Sequence, residues 1–313
     1  MRDWMITQYV VNYFEHGFVR RGLVGTLFHP FVMLAEDPAL TAAIASWIVF
    51  FATSAAALVL ADRALPHAEA ETPDLRHGLR TALAVGCLGA VQVGYDQGRF
   101  DLLNMLLLAA ALALVLRDRP LLAGAALTIG VLVHSAILFY GLPLAIVAQF
   151  LRSGKRWQSL LPLLLLPAIV VVAIFLFAES ERAAGITVGN GTNAWDREVL
   201  FFDFALSWYV TALLVAFYLA VFALFLWFYR ANRRRPDLLF LAVLAPLGLN
   251  LFGDDYGRWL VFTFYAAAMV IWLQTSRFGF RLPVLDRSGW WICLLLCLPI
   301  GPVGVNYIFP WWF

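Results

Sequence analysis

Long apolar runs separated by short polar knots set the pattern of this chain. The runs fall at about 39–61, 79–95, 101–116, 120–135, 137–151, 158–178, 206–229, 238–252, 259–276 and 290–308, and are rich in Leu, Ala, Val and Phe. They lack the two-residue alternation of a barrel strand, so α-helices would satisfy their backbone in lipid. A crossing takes about 20 residues, so the shorter runs need neighbours to shield their ends. The stretch 120–151 is too long for one crossing, and it contains His134-Ser135 and the breakers Gly141 and Pro143. It reads as two short crossings, or as a re-entrant pair with His134 near the tip. Residues 1–38 differ. Arg2, Asp3, Glu15, His16, Arg20 and Arg21 are mixed there with Trp4, Tyr9, Tyr13, Phe14 and Phe18. That mixture suits one or two short helices lying in the membrane interface. The expected fold is therefore all-α: a polytopic integral membrane bundle of about ten transmembrane helices. It forms one domain over 39–313, preceded by the interfacial segment 1–38.

Composition agrees with the pattern. Of 313 residues, 63% are hydrophobic and 13% charged, far outside the range of a soluble domain. A net charge of +2 with no basic tail gives no reason to expect nucleic acid as a partner. Lys155 is the only lysine, an arginine bias that genome composition alone would produce. Cys87, Cys293 and Cys297 all lie inside apolar runs and read as small core residues, not as a disulfide or metal site. The amino end lacks the basic start and apolar core of a cleavable signal peptide.

Arginine sets the expected orientation. Placing 62–80, 117–119, 152–157, 230–237 and 277–289 in the cytoplasm puts most of the 22 basic residues inside, provided 120–151 crosses twice. Residues 1–38 then lie outside. This implies either an exported amino end or, the favoured alternative, a spanning helix upstream of this sequence.

The same parity collects mixed charge on the outer face. Tyr95-Asp96-Gln97-Gly98-Arg99-Phe100-Asp101 and Asp254-Asp255-Tyr256-Gly257-Arg258-Trp259 both contain Asp-x-Gly-Arg-aromatic. Glu15-His16, Arg20-Arg21, His134 and the loop 179–205 join them. Arginine forks hold phosphate and a leaving pyrophosphate, while a carboxylate or histidine accepts the proton of an acceptor hydroxyl. Plainer readings stand beside these. Asp96 with Arg99, and Asp255 with Arg258, also read as ion pairs neutralising their own turns. His134 also reads as a satisfied polar core residue. The two knots suggest an internal repeat, although their flanks do not otherwise match.

The segment Tyr13-Phe14-Glu15-His16-Gly17-Phe18-Val19-Arg20-Arg21-Gly22-Leu23 resembles a Gly-Phe-x-Arg-Arg-Gly element of polytopic proteins in cell-surface polysaccharide loci. Together with the two knots, it makes the chain similar to bacterial type C glycosyltransferases and to O-antigen or exopolysaccharide polymerases. The specific likeness covers about 1–30 and the knots, and hydropathy carries the rest. The resemblance implies a multi-pass enzyme of the bacterial inner membrane, active on its extracytoplasmic face. It would transfer sugar from a polyprenyl phosphate or diphosphate donor to a saccharide or lipid-linked acceptor. It further implies that an acid of an outer interfacial loop is catalytic, for which Asp3 and Glu15 are the positional candidates. No paired Asp-x-Asp occurs, so neither a metal nor another cofactor is expected. The candidate catalytic residues are Glu15, His16, Asp96 and Asp255, and the phosphate holders are Arg20, Arg21, Arg99 and Arg258. Asp3, His134, Asp101 and Asp254 are secondary candidates. Two rival classes remain open: a secondary transporter or lipid-linked-sugar flippase, and a non-catalytic assembly subunit.

Overall fold

The computed structural model describes residues 3–35, 37–64, 100–179, 208–251 and 256–281. Among the described residues every regular element is helical, and the β structure is a single parallel bridge between Val19 and Glu179. Helices α1 (Asp3–Val10), α2 (Tyr13–His16), α3 (Leu23–Leu34) and α4 (Pro38–Ala64) come first. They are followed by α5 (Asp101–Leu116), α6 (Pro120–Val133), α7 (Ile137–Tyr140) and α8 (Leu142–Arg152). A 3-10 turn, Trp157–Leu160, leads into α9 (Leu161–Phe177). Then come α10 (Trp208–Ala231), α11 (Leu238–Ala242), a 3-10 stretch Ala245–Leu251, and α12 (Tyr256–Arg277). Each expected apolar run that falls in these residues is helical. The runs 79–95 and 290–308, and all three cysteines, lie outside the described residues.

The amino-terminal segment departs from expectation. It holds three short helices rather than one or two. At 12 residues, α3 is about 18 Å long, well short of the roughly 30 Å of bilayer hydrocarbon.

Among the described residues, three segments are long and apolar enough to cross a membrane: Pro38–Ala56, Trp157–Phe177 and Trp259–Arg277. The first two leave most of their surface uncovered, and the third is largely enclosed. Helix α9 carries no polar side chain at all, and Leu165, Ile169, Val172 and Phe175 stand exposed on it. A helix apolar all round and still uncovered calls for an apolar surrounding medium.

The chain forms two compact units. Unit 1 takes Met1–Ala52, Gln97–Leu138 and Gln149–Arg197, and unit 2 takes the remainder. In unit 1, α5 and α6 form a hairpin around buried Leu108, Leu112 and Leu127. Its turn is the polar triplet Arg117-Asp118-Arg119, with Asp118 in the left-handed region at φ +61° and Pro120 opening α6. Helix α9 lies along α6. Their backbones meet at Gly124, where a Cβ would sit 2.5 Å from the Leu163 carbonyl oxygen.

Helix α6 stops at His134, whose extended backbone (φ −161°, ψ 121°) cannot continue it. The chain then doubles back, because Arg152, at the end of α8, is ion-paired to Asp118 beside the start of α6. Of the two readings of 120–151, this return fits both, with His134 at the reversal. Unit 1 thus has two ends. Asp118, Arg152 and the start of α9 mark one, and Phe100, Asp101, His134 and Glu179 mark the other.

The amino-terminal helices pack at this second end. Tyr9 lies edge-on to Phe100 with ring centres 5.2 Å apart, in a cluster with Val24, Ala42, Ala45 and Val133. In unit 2, α10 and α11 meet through stacked Phe225 and Phe240, 5.3 Å apart, and Tyr140 stacks on Phe262 of α12 at 4.4 Å.

Candidate functional site

The segment 11–22 is built around one buried amide. Asn12 is only 1% exposed and takes an extended conformation (φ −137°, ψ 161°) that ends α1 and caps α2. Its Oδ1 accepts from the Glu15 amide at 2.9 Å, while its Nδ2 donates to Glu15 Oε2 and to the Val10 carbonyl, both at 3.0 Å. This is a capping box in which one side chain serves both directions. It orients the exposed Glu15 carboxylate through an uncharged partner. His16 Nδ1 lies 3.2 Å from the Asn12 carbonyl oxygen and 3.4 Å from the Asn12 amide nitrogen, donating to the first in one tautomer and accepting from the second in the other.

The chain beyond His16 is held in unusual backbone conformations. Gly17 sits at φ +69°, ψ −161°, a region that essentially only glycine occupies. Arg21 is left-handed at φ +66°, which costs about 1 kcal/mol or more for a residue with a Cβ. The turn between them is pinned at three places. Val19 is buried and bridges to Glu179, whose amide donates to the Phe18 carbonyl at 3.0 Å. The Tyr13 amide donates to Thr26 Oγ1 at 2.8 Å, and that hydroxyl donates to the Gly22 carbonyl at 2.7 Å. Finally, Gly25 of α3 lies directly against the Val11 carbonyl, leaving no room for a side chain. Arg20 and Arg21, both half-buried and both partnered, therefore project from a fixed and strained turn.

The same end of unit 1 carries two more candidates. Asp101 is 1% exposed in the first turn of α5, where a carboxylate complements the helix N-terminus; it is partnered there. One turn on, Asn104 Nδ2 donates to the His134 carbonyl at 2.7 Å. His134 Nδ1 accepts from the Ala136 amide at 3.1 Å, which places the neutral ring's proton on Nε2. Burial raises the Tyr9 and Tyr13 phenols above their ordinary pKa of 10, so both stay neutral at physiological pH and neither serves as a phenolate base.

Six of the twelve sequence candidates are thus gathered at one end of unit 1: Glu15, His16, Arg20, Arg21, Asp101 and His134. Asp3 lies at the start of α1, and Arg258 is in the first turn of α12, in unit 2. Asp96, Arg99, Asp254 and Asp255, the greater part of the two knots, lie outside the described residues, as does the loop beyond Glu179. Among the described residues, no three His, Cys, Asp or Glu side chains are grouped as metal ligands. Sequence reasoning missed Asn12, Thr26 and Asn104. Asn12-x-x-Glu15 had a readable signal, the capping-box spacing. Thr26 had none, since both its partners are set by folding.

No protein-family model, curated protein or solved structure matches this chain.

Proposed function

We propose that this chain is a multi-pass membrane glycosyltransferase or polysaccharide polymerase, working at the end of unit 1 that bears the segment 11–22. Arg20 and Arg21 hold the phosphate of a polyprenyl-linked sugar. Glu15 or His16 takes the proton of an acceptor hydroxyl. The acceptor oxygen bonds to the anomeric carbon as the anomeric carbon–phosphate oxygen bond breaks. The electron pair leaves on the polyprenyl (di)phosphate, which the arginines stabilise. The bundle has about ten spans, in a bacterial inner membrane, with this end extracytoplasmic.

The observation that carries the reading is Asn12. Its side-chain amide orients Glu15 and its backbone carbonyl meets the His16 ring, immediately before a strained turn bearing two adjacent arginines. An oriented acid beside fixed guanidinium groups is the inventory that transfer from a phosphate ester needs. The test is the lipid-linked intermediate that accumulates on deletion, with return of polysaccharide on expression of the wild type but not of Glu15→Gln or Arg21→Ala. Full rescue by both variants would remove the assignment.

A second reading, a transporter or flippase, draws on one observation. The runs 137–151 and 238–252 are interrupted helices, α7–α8 and α11 with its 3-10 stretch. Broken helices form the substrate sites of many transporters. Movement of a lipid-linked sugar across proteoliposomes without any glycosidic product would favour it.

A further inference from the structure

A second collection of arginines lies in unit 2 and has no part in the proposed transfer. Arg230 lies in the last turn of α10 with Arg233, Arg234 and Arg235 just beyond it, and Arg277 ends α12 with Arg281 just beyond; all are exposed. The acid on this turn, Asp237, faces inward. Its Oδ1 accepts from Tyr229 Oη at 2.7 Å and from the Leu239 and Phe240 amides, and its Oδ2 accepts from Gln274 Nε2 at 2.7 Å. Both carboxylate oxygens are thereby committed. Among the described residues, no carboxylate pairs with any of the six arginines.

The turn is also fixed in place. Asn232 Nδ2 donates to the Arg281 carbonyl at 2.9 Å, and the Arg281 amide donates to Asn232 Oδ1 at 2.7 Å. This pair of hydrogen bonds ties the ends of α10 and α12 to each other. Arg233 closes α10 in the left-handed conformation, φ +53°, a position where glycine is usual. Arginine stands where glycine would be less strained. Trp227, in the last turns of α10, and Leu238 and Leu241 of α11, on either side of the arginines in the chain, are exposed as well. Guanidinium groups on a rigid turn, flanked by a tryptophan and exposed leucines, match a boundary of phosphate above and hydrocarbon below.

We infer that this turn is a docking site for the phosphodiester headgroup of an anionic phospholipid, held by Arg233, Arg234 and Arg235 with Arg230, Arg277 and Arg281 around them. The inference shares with the proposed function only the membrane, not the reaction. An acidic protein would not require the exposed leucines, and free phosphate would not require the tryptophan.

The experiment uses the full chain in nanodiscs of phosphatidylcholine with or without phosphatidylglycerol, read by native mass spectrometry of retained lipid and by thermal shift. An arginine held against an anionic headgroup is worth about fivefold in affinity. The triple variant Arg233→Gly, Arg234→Gln, Arg235→Gln should therefore lose at least about tenfold in phosphatidylglycerol retention. The control Arg117→Gln, Arg119→Gln, Arg156→Gln removes the same charge from unit 1 and should change retention less than about twofold. Arg233→Gly alone should keep or raise the Tm in phosphatidylcholine, because glycine suits that backbone, while its phosphatidylglycerol-dependent shift shrinks. Equal losses in the two triple variants would overturn the proposal. So would the absence of any phosphatidylglycerol preference. An equal stabilisation by millimolar inorganic phosphate in detergent would also overturn it, by making the ligand the free anion.

Discussion

Two exposed carboxylates at opposite ends of unit 1 are held in opposite ways. Asp118 lies in the turn between α5 and α6 and is paired to the guanidinium of Arg152, charge against charge. Glu15 lies on α2 and is held by the neutral amide of Asn12. An acid in a salt bridge is oriented and neutralised together. An acid held by an amide is oriented but keeps its charge for something else. The backbone does not separate the ends in the same way: Arg21 is left-handed at one and Asp118 and Lys155 at the other, while the glycine-only conformation of Gly17 belongs to the Glu15 end. The difference between the ends is therefore one of charge pairing, Asp118 being neutralised by Arg152 and Glu15 held by a neutral amide, and the proposed transfer rests on it.

Substitutions at the two ends should separate accordingly. Glu15→Gln keeps the Asn12 contact but removes the base. It should lower the rate of sugar transfer by about 100-fold, read from product formed on a polyprenyl-linked donor, with the unfolding midpoint unchanged. A smaller effect, and one on stability, is expected at Gly17. Alanine there must occupy φ +69° and should cost about 1–3 kcal/mol in thermal unfolding in detergent. Asn12→Ala comes next: about 1 kcal/mol for the lost cap, with a further fall in activity as Glu15 loses its orientation. The smallest effect belongs to the other end. Asp118 is 73% exposed, so Asp118→Asn should cost well under about 1 kcal/mol and leave transfer untouched. If Asp118→Asn impaired transfer as much as Glu15→Gln, the distinction between the two ends would fail.

Much of the helical layout was legible in the sequence, for physical reasons. The run 101–116 coincides with α5, because a polar triplet and Pro120 close it sharply. The reversal inside 120–151 was readable from His134-Ser135, and the fold shows why: the His134 ring and carbonyl take up bonds that α6 would otherwise extend. The amino-terminal segment was less legible. Its aromatics and charges follow no helical period, so the separation into α1, α2 and α3 does not show in a hydropathy reading. What fixes the segment is a set of contacts distant in sequence, Val19 with Glu179 and Tyr9 with Phe100. Of the candidate site, Arg20-Arg21 stood out as adjacent arginines away from the basic loops. The Asn12 clamp lay in view as an Asn-x-x-Glu pattern, but it acquires meaning only once α2 is known to be four residues long.

The central claim is that the strained turn presents Arg20 and Arg21 to a phosphate ester. Its most direct test is binding and turnover of a polyprenyl diphosphate sugar by the purified chain in nanodiscs, comparing wild type with Arg20→Lys, Arg20→Ala, Arg21→Lys and Arg21→Ala. The account predicts that both alanine variants lose donor binding by about 100-fold, and that lysine restores only part of it, because an ammonium lacks the bidentate fork. Donor binding and product formation at wild-type levels in both alanine variants would contradict it.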